Sequence, residues 1–243
     1  MTEGTNSESP ITSHQSPVPV LAIDGPGGSG KGTVGQILAQ RLGWHFLDSG
    51  ALYRAVGIVG QRENIRFDDP SALARLAASM EIRFTPRTDG SAATVLLNGQ
   101  DIGDLLRTEE SGRLASIVAA LPEVRRALLQ KQHSFRQPPG LVADGRDMGS
   151  TVFPDALLKV YLTASPEVRA QRRYKQLIEK GLCANLEDLL QEIRNRDTRD
   201  ANRSVAPLEL APGAKLLDTS RLSIDEAVAQ VLAWHGESDQ PAQ

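Results

Sequence analysis

Two hydrophobic patterns alternate along most of this chain. Short, largely apolar runs, Val18 to Ile23, Trp44 to Leu47, Leu141-Val142-Ala143, Leu157 to Leu162 and Lys215 to Thr219, read as strands buried on both faces of a parallel sheet. Between them, apolar residues recur at helical spacing. Val34, Ile37, Leu38 and Leu42 fall at i, i+3, i+4 and i+8, with Gly43 placed to stop the helix. A helix carries Ala51 to Arg54, and Ser165-Pro166-Glu167 opens another that Gly181 ends. One with Leu186, Leu189, Leu190 and Ile193 on its apolar face begins at Asn185, and a last one, opened by Ser223, runs from Ile224 to Trp234.

The pattern changes from about 62 to 137. A helix started by Asp69-Pro70-Ser71 runs through Leu73, Leu76 and Met80, and is followed by the alternating Ile82-Arg83-Phe84 and the β-prone Thr94 to Leu97. Thr88 to Ser91 is turn-rich, and Asn98-Gly99 is a strong hairpin signal leading into Gln100-Asp101-Ile102. Helical stretches are expected from Glu109 to Leu121 and, after Pro122, from Glu123 to Arg136. The fold class is therefore α/β, three-layered around a central parallel sheet. Residues 62–137 form an inserted substrate-side subdomain with a small antiparallel sheet, 18–61 and 138–235 form the core, and about 166–204 a helical lid.

The chemistry starts at Gly25-Pro26-Gly27-Gly28-Ser29-Gly30-Lys31-Gly32-Thr33, between the first strand and the first helix. This is a phosphate-binding P-loop: glycines let backbone amides converge on a polyphosphate, and the helix start adds unpaired N–H groups. Lys31 would serve the β- and γ-phosphates of ATP, and Thr33 a magnesium ion. Gly32 intervenes where the usual pattern has Ser or Thr directly after the lysine. Asp144, ending an apolar strand, is the candidate acidic partner for magnesium, directly or through water. Asp48 and Ser49 sit at a strand end, where ligands bind, or simply cap the next helix, and Arg54 lies one turn beyond Gly50. His45, between Trp44 and Phe46, is read as structural, and Arg146 with Asp147 is readable as an ordinary surface pair. The seven arginines from Arg169 to Arg203 fit either a solvated helix pair or a lid closing over phosphates.

Composition narrows the partners. Among 243 residues, a net charge of −3 and 4% aromatic content argue against nucleic acid, and no apolar run approaches the roughly 20 residues of a membrane span. The single cysteine, Cys183, excludes an internal disulfide and fits a cytoplasmic protein. Residues 1–17, rich in Ser, Thr, Pro, Asn and Gln, are expected to be a disordered leader, and 236–243 a polar tail.

Four segments together carry a resemblance: Gly25 to Thr33, Leu47 to Arg54, Ala143 to Gly149 and Arg196-Asp197-Thr198-Arg199-Asp200-Ala201-Asn202-Arg203. In this order they resemble the bacterial cytidylate kinases, over about residues 18–235. The resemblance implies a P-loop kinase fold, ATP and CMP or dCMP as substrates, magnesium, and a monomer. It implies that Arg54 and Arg146 grip the acceptor's α-phosphate, that Ser116, Arg125, Asp147 and Arg203 surround cytosine, that Arg196 and Asp200 face the sugar, and that Asp48 and Ser49 line the acceptor loop. Arg172 and Arg173 lie where a lid supplies catalytic arginines, with the choice between them open, as is any role for Arg199. A kinase for UMP or AMP, or a nucleotide-binding switch without phosphotransfer, are the alternatives.

Overall fold

The computed structural model describes residues 18–85, 93–179, 181–203 and 205–238. The expected leader, the turn at Thr88 to Ser91 and the end of the tail lie outside them. In chain order the elements are β1 Val20–Asp24, α1 Lys31–Leu42, β2 His45–Asp48, α2 Ser49–Arg62, α3 Pro70–Ser79, β3 Ile82–Thr85, β4 Thr94–Leu97 and β5 Gln100–Asp101. There follow α4 Gly103–Leu106, α5 Glu109–Val118, α6 Pro122–Ser134, β6 Leu141–Gly145, a π-helical turn at Met148–Val152 and β7 Leu158–Thr163. The chain continues with α7 Pro166–Glu179, α8 Leu186–Ala201, β8 Lys215–Asp218 and α9 Ile224–Ser238, which takes up the first three residues of the expected tail.

Five strands form a parallel sheet in the order β2-β6-β1-β7-β8. β1 and β6 are buried on both faces and lack polar alternation, Val20 and Ala22 pointing into one hydrophobic layer and Leu21 and Ile23 into the other, whereas β7 alternates buried Leu158, Val160 and Leu162 with half-buried Lys159, Tyr161 and Thr163. The second layer is closed by α1 and α9 through Val34, Leu38, Val228 and Val231. The first is closed by α2, α3, α5 and α6, and it joins sheet residues Leu47, Leu141 and Ala143 to Leu73, Val118, Val124 and Leu128 in one continuous cluster. The insertion is thus docked on the sheet by a shared core. Its own sheet, β3-β4-β5, is antiparallel, and Asn98 and Gly99 turn its hairpin with φ of 47° and 83°, the left-handed pair a two-residue turn requires.

Because all five core strands run the same way, their C-terminal ends lie along one side. Asp48 of β2 is in register with Asp144 of β6, and Asp24 of β1 with Gly145. The insertion is held over this side by a close helix crossing: a Cβ on Gly57 of α2 would come 2.6 Å from Leu114 Cβ of α5. Gly57→Ala must push α5 outward, and overpacking of this kind costs about 1–3 kcal/mol. Urea unfolding should show that loss; an unchanged midpoint would mean the helices do not approach so closely.

Candidate active site

The P-loop leaves the buried end of β1 through Gly25, whose φ is 145° and where a Cβ would stand 2.0 Å from the Leu162 carbonyl oxygen. Only glycine fits there. At the other end Gly30 caps α1 with φ of 100° and offers no side chain, so the first amides of α1 are left for an anion. Lys31 Nζ donates to the Pro26 carbonyl at 2.9 Å and lies 3.8 Å from Asp144 Oδ1. Burial, reinforced by Arg146 and opposed by Asp144, lowers the Lys31 ammonium to about 7. Burial likewise raises Asp144 to about 6 against the pull of Lys31.

Asp144 also rests against Gly32, where a Cβ would lie 3.5 Å from Oδ2, and Thr33 is exposed in the same first turn. A carboxylate and a hydroxyl are hard oxygen donors suited to magnesium. Among the described residues no cluster of three or more His, Cys, Asp or Glu could hold a metal ion by itself.

Facing the P-loop is a set of arginines from several elements. Arg146, after β6, and Arg196, from α8, both reach Gly27, where a Cβ would stand 3.4 Å from a guanidinium nitrogen of each. Arg196 also lies against Gly112 of α5, and its buried Nε has no hydrogen-bond partner among the described residues. Burial first, then repulsion from Arg146 and Arg54, lowers Arg196 to about 10. Asp200 holds two of these cations: Arg146 Nε donates to Oδ2 at 3.0 Å and Arg203 Nη2 to Oδ1 at 2.7 Å. Burial alone would raise its carboxyl, but Arg146, Arg196 and Arg203 outweigh it and hold it below the ordinary carboxylate range. Beside this group Arg125 of α6 forms a buried ion pair with Asp147, and its guanidinium stands 5.8 Å from the Tyr53 ring centroid.

Other expectations resolve differently. Asp48 caps α2, accepting from Ala51 N at 2.9 Å, and also lies 3.7 Å from Arg54. Ser49, expected in the acceptor loop, is buried and donates to Gln132 Oε1 at 2.8 Å, which ties α2 to α6. Ser116 sits one turn beyond Gly112 on α5 and donates to that residue's carbonyl at 3.2 Å. The lid divides. Arg172 reaches the Ser29 carbonyl at 3.2 Å and the Thr219 carbonyl at 2.6 Å, beside the P-loop. Arg173 instead bonds Glu109 at 2.6 Å and the Arg107 carbonyl at 3.1 Å, on the insertion. Arg194 pairs with Glu167 on the surface and Arg199 donates to the Asn195 carbonyl of its own helix.

The sequence marks Arg169 only as one of the seven arginines and gives Thr219 and Asp24 no role. Arg169 is buried at the root of α7 and joins Asp197 of α8 at 2.9 Å to the Gly27 carbonyl at 3.1 Å. Thr219 donates to the Ser29 carbonyl at 3.0 Å. Asp24 accepts from Met148 N and Gly149 N, both at 2.8 Å.

A P-loop at the end of the central strand, faced by arginines from an inserted subdomain and a lid, defines a P-loop kinase that moves phosphoryl groups between small anionic molecules. The profile of the family described as Cytidylate kinase matches residues 21–236. A cytidylate kinase of Aeromonas salmonicida is 53% identical over 216 residues, spanning 89% of this chain and 93% of the relative. One of Nitrosococcus oceani is 52% identical, spanning 89% and 96% respectively, and one of Burkholderia multivorans 53% identical, spanning 93% and 96%. The chain belongs to the cytidylate kinase family.

The depressed carboxyl of Asp200 has a consequence for stability. Its stabilisation is complete above the ordinary aspartate pKa of about 3.9 and is lost as pH falls through the lower folded-state value. Asp200→Asn should therefore unfold more easily than the wild type at neutral pH, the gap narrowing below pH ~4. Unfolding midpoints measured from pH 7 to 2 test this; a gap constant with pH would show that the carboxylate's charge does not hold the arginines.

Proposed function

We propose that this chain transfers the γ-phosphoryl group of ATP to CMP or dCMP, giving ADP and CDP or dCDP. The observation that carries the reading is the meeting, on one side of the sheet, of the P-loop lysine with the Arg146–Asp200–Arg203 and Arg125–Asp147 networks. A nucleoside monophosphate already presents an anionic oxygen as nucleophile, so the site needs no general base. Its task is to align two mutually repelling polyanions and neutralise them in a dry cleft.

Lys31 and the first amides of α1 hold the donor phosphates, and Arg172, beside Ser29, is the lid arginine placed to join them. Arg54 and Arg146 take the acceptor phosphate. Asp147 accepts from the exocyclic amine of cytosine while Arg125 and Arg203 donate to its carbonyl and ring nitrogen, with Ser116 alongside. Arg196, with an unpaired Nε between Gly27 and Gly112, stands between donor and acceptor halves. With Asp200 saturated by two arginines, its contact with the sugar comes second to fixing Arg146 and Arg203. Thr33 and Asp144 would hold magnesium, which supplies charge neutralisation on the donor phosphates. No helix among the described residues is long and apolar enough to cross a membrane. The reaction is placed in the cytoplasm, with free nucleotides as partners, no nucleic acid, and the chain acting as a monomer.

ADP formation from ATP and magnesium, compared with CMP, dCMP, UMP, AMP and no acceptor, is the direct test. CMP and dCMP should support turnover well above UMP and AMP. ATP binding without acceptor-dependent turnover would replace the kinase with a nucleotide-binding switch. Lys31→Met keeps the buried stem and should leave the fold intact while lowering kcat by at least about a hundredfold.

A further inference from the structure

Asp24 is the last residue of β1 and is buried at 4% exposure. Oδ1 accepts from Met148 N and Oδ2 from Gly149 N, each at 2.8 Å. The next residue along the chain is Gly25, the start of the P-loop. The two amides open the π-helical turn that ends the loop carrying Arg146 and Asp147. One carboxylate therefore ties the root of the phosphate-binding loop to the far end of the loop that presents the acceptor-reading residues.

We infer that Asp24 is a positioning residue, which sets Arg146 and Asp147 against the P-loop by holding the backbone of Met148 and Gly149. The inference rests on the acceptor site proposed above. Two adjacent amides need two acceptor oxygens in one plane, which a carboxylate offers and a carboxamide does not. An apolar residue would avoid desolvation but leave both amides unpaired. That desolvation is real: burial raises the Asp24 carboxyl to about 6 despite the two amides and Lys31, with Asp147 adding repulsion. Arg146 and Tyr161 are its remaining titratable neighbours in the field of the site. Because burial favours the neutral form here, the isosteric Asp24→Asn should fold. It keeps one acceptor and presents an N–H₂ group to the other amide, turning part of the anchor into a clash of donors.

The test is steady-state kinetics of Asp24→Asn with CMP and ATP varied separately. KM for CMP should rise about ten- to a hundredfold while KM for ATP stays within about twofold, because the acceptor groups move and the P-loop does not. The preference for CMP over UMP should fall too. Asp147→Asn should then cost far less in the Asp24→Asn background than in the wild type, since both remove the same placement. A lowered melting temperature with an unchanged KM for CMP, equal rises in both KM values, or full multiplication of the two substitutions would overturn the inference and leave Asp24 a purely structural group. Should Asp24→Asn not fold, residue-resolved amide exchange on the wild type decides: Met148 and Gly149 must be protected, and exchange at the rate of an open loop would overturn the anchor. Absence of CMP-dependent turnover in the wild type would count against the proposed function, while the exchange measurement would still decide whether the anchor exists.

Discussion

The structure depends on gathering several cations where water is scarce. Two like charges about 4 Å apart repel by about 4 kcal/mol at an effective dielectric constant of about 20, and burial adds desolvation. Lys31, lowered to about 7, and Arg196, lowered to about 10, show this pressure directly, since burial and a neighbouring arginine are the first causes for each. The carboxylates of Asp144, Asp147 and Asp200 relieve part of it by pairing with Lys31, Arg125, and Arg146 with Arg203. What they leave over is an arrangement that a polyanion completes. Donors already in place do not have to reorganise when charge develops on a transferring phosphoryl group.

The parallel sheet makes this gathering possible. β1 and β6, buried on both faces, have no polar side chain until their C-terminal ends, and there Asp24, Asp48 and Asp144 stand on three adjacent strands. Arg146 directly follows β6, and the other arginines lie in or just after helices outside the sheet that apolar faces dock there. Leu189 in α8, and Val124 and Leu128 in α6, are buried on the side away from solvent. The core thus places charged groups that could not fold together by their own attraction.

Much of this was legible in the sequence because its signals are local. Gly25 to Thr33 is a contiguous motif, the strands are contiguous apolar runs, and Asn98-Gly99 turns a hairpin with the positive φ values its residue types favour. Cap and turn chemistry also read correctly at Asp69 and Asn185, both of which cap the helices they were expected to open. What stayed hidden depends on pairing across distance. The hydrogen bond of Ser49 to Gln132, 83 positions away, has no signal at either residue alone. The anchoring contact of Asp24 was hidden because its partners are backbone amides 124 and 125 residues on, and backbone amides leave no mark in a sequence. Arg172 and Arg173, adjacent on one helix, are set apart by the ≈100° between successive side chains, which sends one to the P-loop and the other to the insertion.

The two lid attachments differ in kind, which bears on how such a site admits its substrates. At the root of α7, Arg169 is 3% exposed and binds the Gly27 carbonyl together with Asp197, so parting it would strand a buried charge. At the far side Arg173 meets Glu109, whose side chain is 57% exposed, and an ion pair in that setting contributes little because water serves either partner almost as well. The lid is therefore joined firmly to the P-loop and lightly to the insertion. Separation is cheapest across the Arg173–Glu109 contact, on the acceptor side, and the Arg172 and Arg169 contacts that frame the P-loop survive it.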